Sequence, residues 1–154
     1  MDRKEQLIGK KVWVLEEKQY SWKPNKEKVW TITDYIDWGD ERLTDYTPHV
    51  VLKDELGNSK EIRGYEVVVV PDVSLPAREM VYKYLSDNGL YNDNISGEDA
   101  TICVSISWGD WKHDHGYLRC LMSYIGYTEG DEIVTEENGS DCYSSVHYFY
   151  KASA

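Results

Sequence analysis

The segment Lys112-His113-Asp114-His115 comes closest to a metal site, because two histidines separated by one residue lie on the same side of a strand. Asp110 follows a glycine and precedes apolar residues at helical spacing, which predicts a helix that begins there. On a helix, residues two positions apart point about 200° away from each other, so the two histidines would not hold one ion. We therefore expect no metal site and no cofactor, and we interpret His115 as a core or half-buried residue.

A nucleophilic site is the next chemistry to consider, and its candidate residues are Cys103, His147 and Asp141. Cys142 is closer to His147 in the sequence, but an odd number of positions separates them, so they face opposite ways on a regular strand. Cys103 and His147 would approach each other if their strands are neighbours and both residues lie on the outer face. Free cysteines are more often small buried hydrophobic residues, so we expect no enzyme and keep this site as the alternative. The sequence also lacks the glycine-rich loops that bind nucleotide phosphates.

A run of acidic residues without any lysine or arginine extends from residue 129 to residue 141. The net charge of the chain is −11, and residues 76–154 contribute 13 acidic against 5 basic residues. Such a balance argues against direct nucleic-acid binding, which depends on lysine and arginine. The run is explained either as a solvated hairpin edge or as a docking surface for a basic partner. Its members are Glu129, Asp131, Glu132, Glu136, Glu137 and Asp141.

The elements of the first half, residues 1–72, are predicted to be short strands. Alternating or β-branched segments occur at residues 11–15, 29–36, 49–53, 60–62 and 65–70, and Lys23-Pro24-Asn25-Lys26 is expected to be a turn. Five short strands without a helical period predict a small barrel-like domain. In its pattern of strands this half resembles the SH3-like barrels.

The second half, residues 73–154, is predicted to fold in the order α-β-α-β-β, so that the whole chain belongs to the α+β class. Ser74 is the expected N-cap of the first helix and Gly89 its end, whereas residues 92–99 are expected to form a loop. An alternating strand at 101–108, a second helix from Asp110 and a hairpin around Asn138-Gly139 follow. The simplest arrangement is a two-layer sandwich with both helices on one face of the sheet.

The opposite, outer face of this sheet is a candidate recognition surface. We expect Ile102, Val104 and Ile106 to face the helices together with Val146, Tyr148 and Tyr150 of the last strand. The outer face would then carry small hydroxyl residues beside aromatic ones. Its predicted partner-binding residues, in addition to the acidic run, are Tyr143, His147 and Phe149.

The apolar segments and the cysteines of the chain indicate its cellular location. No apolar run approaches the length that spans a membrane, and the N-terminal residues contain no apolar stretch of signal-peptide length. The three cysteines are odd in number and lack C-x-x-C spacing, which is typical of a reducing compartment. We therefore expect a cytoplasmic protein without a membrane partner.

The segment from Trp108-Gly109-Asp110-Trp111 to Tyr143 resembles small acidic proteins of phages and mobile elements, of the anti-CRISPR or counter-defence type. The resemblance implies a non-enzymatic inhibitor that binds a nuclease or another basic nucleic-acid-binding protein. It also implies that the acidic residues from Glu129 to Asp141 act as a local mimic of DNA phosphates. Because residues 1–75 contain 12 basic residues, such mimicry must be local. The second alternative is an adaptor whose first half binds a peptide through Trp13, Trp22, Trp30 or Trp38.

Overall fold

The computed structural model describes residues 3–37, 39–42, 47–90, 94–108, 111–137 and 143–151. At Arg3 and at positions 107, 108, 111–115, 131–137 and 143–145, only the backbone is described. The chain divides into two compact units, unit 1 (Met1–Val70) and unit 2 (Pro71–Ala154). The sequence-based boundary lies nearby, at residues 72 and 73. Each unit contains an antiparallel sheet, and helices accompany them, so the chain has a mixed α+β fold, as predicted.

Unit 1 is an open five-stranded antiparallel sheet with the strand order β4-β3-β2-β1-β5. A short helix, α1 (Arg3–Leu7), precedes it, and a 3-10 turn (Gly64–Glu66) separates β4 from β5. The register shifts once between β1 and β2 and once between β2 and β3, which bends these strands. The strands are β1 (Lys11–Lys18), β2 (Ser21–Ile36), β3 (His49–Lys53), β4 (Ser59–Arg63) and β5 (Val67–Val69).

The first hairpin of unit 1 differs from the prediction. The expected turn at residues 23–26 lies inside β2, where Pro24 is opposite Leu15. The chain instead reverses at Gln19 and Tyr20, which both have positive φ, 48° and 68°. In this part β2 pairs with β1 and not yet with β3, so Pro24 can turn the side of its backbone that lacks an N–H towards solvent. The predicted turn was wrong because proline is tolerated at such an edge.

The core of unit 1 lies on one face of the sheet. Trp30 belongs to this core, with 8% of its surface exposed, and the ammonium groups of Lys28 and Lys60 lie 4.3 and 4.6 Å from its ring centroid. The lysine stems thus cover the rim of the core while their charges stay near solvent. The other buried members are Leu7, Val12, Ile32, Tyr35, Val50, Leu52 and Val69.

The turn between β3 and β4 is organised by the carboxylate of Asp54. This carboxylate accepts hydrogen bonds from the backbone N–H groups of Leu56 and Asn58 at 3.0 and 2.8 Å, and from the Asn58 side chain at 3.0 Å. The Lys28 ammonium lies 2.9 Å from it. The Lys28 contact, followed by the bonds from Asn58, lowers the pKa of Asp54 to about 2.

We therefore expect stability to fall as the pH drops from about 4 to about 2. Between these pH values Asp54 becomes protonated in the unfolded chain, whereas native Asp54 stays ionised. Protonation therefore favours the unfolded state. Urea unfolding of the Asp54→Asn variant should show lower stability than wild type at pH 6 and a flatter decline between pH 4 and 2. Asp40→Asn is the comparison variant, since side-chain and backbone hydrogen bonds from Arg42 also lower the pKa of Asp40 to about 2, and it should flatten the same decline without removing a bond of the β3–β4 turn. A pH profile of Asp54→Asn that runs parallel to wild type would contradict this account.

Unit 2 contains a four-stranded antiparallel sheet with the order β6-β7-β9-β8 and two longer helices. Its element order is α-β-β-α-β-β, because residues 94–98, within a predicted loop, form a strand paired with β7. The predicted loop was therefore wrong over these residues. The elements are α2 (Ala77–Asp87), β6 (Asn94–Glu98), β7 (Thr101–Trp108), α3 (Trp111–Tyr124), β8 (Tyr127–Glu137) and β9 (Tyr143–Lys151).

The two helices end where their glycines predict. Gly89 has a φ of 82°, and the backbone N–H groups of Gly89 and Leu90 bond to the carbonyls of Ser86 and Leu85, a Schellman motif. Gly126, with a φ of 91°, follows α3, and its backbone N–H bonds to the Ser123 carbonyl at 3.1 Å. The predicted N-cap is wrong, however, because the residue before α2 is Pro76 and no side chain caps the helix. The Ser74 hydroxyl bonds to Asp72 instead.

The core of unit 2 lies between the helices and one face of its sheet, which we call the inner face. The Tyr84 hydroxyl of α2 donates to the Leu121 carbonyl of α3 at 2.9 Å, so the two helices are joined inside the core. Among the described residues, no helix is long and apolar enough to cross a membrane. The fully buried members of this core include Val81, Leu85, Ile102, Val104, Ile106, Leu118, Leu121 and Met122.

Candidate docking surface of unit 2

Most of the predicted acidic run lies along β8, which is an edge strand of the sheet of unit 2. Its backbone places Glu136 opposite Ser144 and Glu137 opposite Tyr143 on β9. Asp141 lies outside the described residues. The structure thus gathers five of the six acidic positions on one strand, namely Glu129, Asp131, Glu132, Glu136 and Glu137.

An irregularity interrupts this edge strand. Glu129 is opposite Phe149 and Ile133 is opposite His147, so residues 130–132 lie opposite Tyr148 alone. Bulges and charges on an edge strand oppose unwanted pairing with another strand. The acidic residues of β8 therefore have a structural use besides any role in docking.

Glu129 does not belong to a free docking surface, contrary to the prediction. Its side chain is 12% exposed, and its carboxylate accepts a hydrogen bond from Nε of Arg119 on α3 at 2.9 Å. The same carboxylate lies 3.6 Å from Nδ1 of His147. Because Arg119 approaches from the helix layer, Glu129 joins α3 to the sheet.

The predicted outer-face positions of His147 and Phe149 are also wrong. Both residues are fully buried, and their rings are stacked with centroids 6.3 Å apart. In the observed register Phe149 is opposite Ile102 and His147 is opposite Val104, which places both on the inner face. Tyr143 is opposite Trp108 in the same register. The prediction failed because aromatic residues alternate on both faces of β9, so the pattern alone did not select a face.

The face away from the helices, which we call the outer face, therefore carries the other residues of β9. Tyr150 is opposite Thr101, Tyr148 is opposite Cys103 and Val146 is opposite Ser105. Tyr150 is 48% exposed, and Tyr148, Cys103, Ser105 and Val146 are half-buried. Sequence reasoning missed these two tyrosines, and only the register of β7 with β9 identifies them. The outer face is defined by Thr101, Cys103, Ser105, Val146, Tyr148 and Tyr150.

The alternative nucleophilic site is not assembled. Cys103 is opposite Tyr148 on the outer face, whereas His147 is buried on the inner face, so the sheet separates the thiol from the imidazole. Asp141, its proposed third member, lies outside the described residues. A cysteine and histidine on opposite faces do not reach the hydrogen-bond distance that proton transfer requires.

A metal site is not assembled from the described residues either: they contain no group of three or more histidine, cysteine, aspartate or glutamate side chains suited to an ion. The backbone places His113 and His115 in α3, which confirms the predicted helix at these positions. The positions of their side chains are not described.

The charge of unit 2 is strongly negative and its described cations are largely engaged. Residues 71–154 contain 14 acidic and 5 basic residues, a net charge of −9. Arg119 pairs with Glu129, and the Lys83 ammonium lies 2.7 Å from Asp87 within α2. The Lys151 ammonium lies 3.6 Å from Asp99. The sequence of β8 contains five acidic residues and no lysine or arginine.

The tryptophans of unit 1, the candidate peptide-binding residues, are not equivalent. Trp22 is 45% exposed near the tip of the β1–β2 hairpin, and Trp13 is half-buried with the Lys26 ammonium 5.3 Å from its ring centroid. Trp30 is buried in the core. Trp38 lies outside the described residues. Trp22 is thus the most exposed of the tryptophans in the described part of unit 1.

Comparison of the chain with protein-family models, with curated proteins and with solved structures finds no match.

Proposed function

We propose that this chain is a non-enzymatic binding protein that docks on a basic surface of a nucleic-acid-binding protein through the acidic edge strand of unit 2. The observation that carries the proposal is the position of Asp131, Glu132, Glu136 and Glu137 on one edge strand of a unit with a net charge of −9. The partner expected from the counter-defence resemblance is a nuclease of the RNA-guided type. The chain would inhibit it by occupying the surface that otherwise binds nucleic acid.

Electrostatics supports this mode of binding. Clustered carboxylates attract a basic surface and accelerate the encounter, and like charges repel wrong partners. Because surface charges are screened within about 10 Å at 0.1 M salt, the affinity should fall steeply as salt increases. The acidic positions are also spread along the axis of one strand, on alternating faces, over a length that suits a channel that normally holds a phosphate backbone.

Charge reversal of the edge strand tests the proposal. In the Glu132→Lys, Glu136→Lys, Glu137→Lys triple variant, we expect binding to a purified RNA-guided nuclease to weaken at least about tenfold at 0.1 M salt, because three attractions become repulsions. The measurement is a titration by biolayer interferometry. The matched control is Glu17→Lys, Glu27→Lys, Glu55→Lys, which changes the net charge equally at exposed positions of unit 1.

The control distinguishes a local from a general charge effect. If both triple variants weaken binding equally, net charge and not the edge strand controls affinity, and the proposal is wrong. The same titration tests the adaptor alternative, which the exposed Trp22 favours. Docking through the edge strand predicts that Trp22→Ala leaves nuclease binding unchanged, whereas an adaptor would lose binding in that variant and retain it in the edge-strand variant.

For unit 1 we propose an SH3-like architecture. The support is the run of consecutive antiparallel strands from β1 to β4, with β5 returning to pair with β1 after a 3-10 turn. The register shifts in β1 and β2 mark bulges, and bulges are the devices that bend the strands of small barrels. A cytoplasmic location belongs to the same proposal, and the half-buried Cys103 and the exposed Cys120, both free, suit a reducing compartment.

A further inference from the structure

We propose that the outer face of unit 2 is a stacking platform for arginine side chains of the partner. The inference rests on the proposed function and names the interface core that the acidic edge strand borders. The juxtaposition that carries it is Tyr148 and Tyr150 on one face of β9, beside the small side chains of β7 and next to the edge strand β8.

The two tyrosines form a pair of neighbouring rings. They are two positions apart on β9, so their Cα atoms are about 7 Å apart and their side chains leave the same face. Across the sheet they are opposite Thr101 and Cys103, which are too small to cover an aromatic ring. Tyr150 remains 48% exposed. The Tyr150 ring is thus partly accessible to a flat ligand group, and the half-buried Tyr148 lies beside it on the same face.

Gly130 on β8 fixes the position of the Tyr150 ring. A Cβ atom built on Gly130 would lie 2.5 Å from Cε2 of Tyr150 and 3.3 Å from Cδ2, so the ring packs directly against this glycine. Gly130 belongs to the irregular segment of β8 that also contains Asp131 and Glu132. The segment therefore places the Tyr150 ring next to the acidic edge.

The helices of unit 2 lie on the other side of the sheet. Arg119 of α3 reaches Glu129, and Glu129 is opposite Phe149, whose side chain is buried on the inner face. The tyrosines alternate with Phe149 along β9 and so point away from α3. Within the described part of unit 2, the helix layer leaves the outer face open.

The charges around the outer face select the occupant. Glu98 is opposite Thr101 and exposed, and the neighbouring Asp99 side chain is 79% exposed although the Lys151 ammonium lies 3.6 Å from it. On the opposite border, β8 supplies the acidic positions 131 and 132 beside Tyr148. A tyrosine-rich centre with a charged rim is the usual arrangement of a protein interface. Guanidinium groups stack on aromatic rings and bind carboxylates in a bidentate manner, whereas ammonium groups act as strongly hydrated point charges. The face therefore fits an arginine-bearing protein surface better than a lysine-bearing one.

Two peptides of equal charge separate this inference from plain charge attraction. The full-length chain is titrated into fluorescein-labelled nona-arginine and nona-lysine at 0.1 M salt, and binding is followed by fluorescence anisotropy. We expect the arginine peptide to bind about tenfold more tightly, because stacking adds to charge attraction for arginine.

Substitutions on the outer face test which residues cause the preference for the arginine peptide. Tyr148→Ser combined with Tyr150→Ser should reduce the arginine preference to about twofold or less. Thr101→Arg should do the same by placing a cation on the outer face while both rings remain. The matched control is Tyr82→Ser, on α2 and 51% exposed, which should keep the full preference. Thermal unfolding by circular dichroism verifies that each variant is folded.

The outcomes distinguish this inference from the proposed function. Equal binding of the two peptides, or an arginine preference that survives both the double tyrosine variant and Thr101→Arg, overturns the stacking platform. If the edge-strand triple variant then still lowers binding of both peptides, docking through the acidic edge stands. If that triple variant changes neither peptide's affinity, the acidic edge does not bind cations and the proposed function fails with it.

Discussion

Phe149→Ala is expected to lower the free energy of unfolding by about 3–5 kcal/mol, because it removes a fully buried ring from the core of unit 2. The cavity would open beside Ile102 and His147, which are themselves fully buried. Urea denaturation followed by circular dichroism measures the change.

The adjacent residue is the matched control. Tyr148→Ala shortens a ring on the outer face and should cost less than about 1.5 kcal/mol, since that ring is only half-buried. The two substitutions together test the register of β9. Equal losses, or a larger loss for Tyr148→Ala, would show that the inner and outer faces have been assigned the wrong way round, and the stacking platform would be lost with them.

Gly97→Ala should be the most damaging change of a single methyl group, with an expected loss of about 3 kcal/mol or more. Gly97 has a φ of 104°, which side chains rarely adopt, and an added Cβ would overlap with the carbonyl oxygen of Thr101. The obstacle is backbone and not a flexible side chain, so the β6–β7 hairpin must distort to relieve it. Thermal and urea unfolding of the variant measure the loss.

Gly126→Ala separates the two causes of this loss within the same unit. Gly126 also has a positive φ, 91°, but a Cβ built there meets no atom within 4 Å among the described residues. Its substitution should therefore cost only the backbone strain, about 1–2 kcal/mol. If Gly97→Ala is no worse than Gly126→Ala, the hairpin between β6 and β7 is not as tight as described, and the placement of Glu98 beside the outer face is in doubt.

The elements that the sequence predicts well are those with strong local signals. The alternation from Thr101 to Trp108 and the glycines at the ends of α2 and α3 identify a strand and two helix ends correctly. Such signals depend on residues that are neighbours in the chain, so no knowledge of distant contacts is needed.

The elements that the sequence misses lack such signals. The strand β6 reads Asn-Ile-Ser-Gly-Glu, with a single apolar residue, and it forms because β7 supplies its hydrogen bonds. The chain reverses at Gln19 and Tyr20, two residue types that rarely adopt positive φ. The sequence pattern therefore favours the proline segment at residues 23–26 as the turn, although it lies inside β2.

The candidate docking surface of unit 2 also has features that the sequence alone does not predict. The acidic run is visible in the sequence, but the pairing of Glu129 with Arg119 is not, because the two residues meet only through packing of α3 on β8. Tyrosine, histidine and phenylalanine alternate along β9, and the pattern fits either face equally. The pairing of β9 with β7 determines which face each residue occupies, because Phe149 is opposite the buried Ile102.

Because Glu129 is paired with Arg119, the proposed docking depends on the remaining acidic positions of β8. The other acidic positions of β8 lie beyond Glu129. Asp131 and Glu132 belong to the segment opposite Tyr148, whereas Glu136 and Glu137 lie further along the strand, opposite Ser144 and Tyr143. Charge would attract the partner and tyrosine would contact it, a division between rim and centre that many interfaces show. The 12 basic residues of unit 1 then need no part in docking.

Competition with DNA shows whether the acidic edge strand occupies the nucleic-acid site of a nuclease. A purified RNA-guided nuclease is loaded with guide RNA and fluorescent target DNA at 0.1 M salt, and the chain is titrated while DNA binding is followed by anisotropy. We expect the DNA to be displaced by wild type and by the unit 1 control variant, and not by the variant Glu132→Lys, Glu136→Lys, Glu137→Lys. A chain that binds the nuclease while the DNA stays bound, or a triple variant that displaces DNA as well as wild type does, would contradict this expectation.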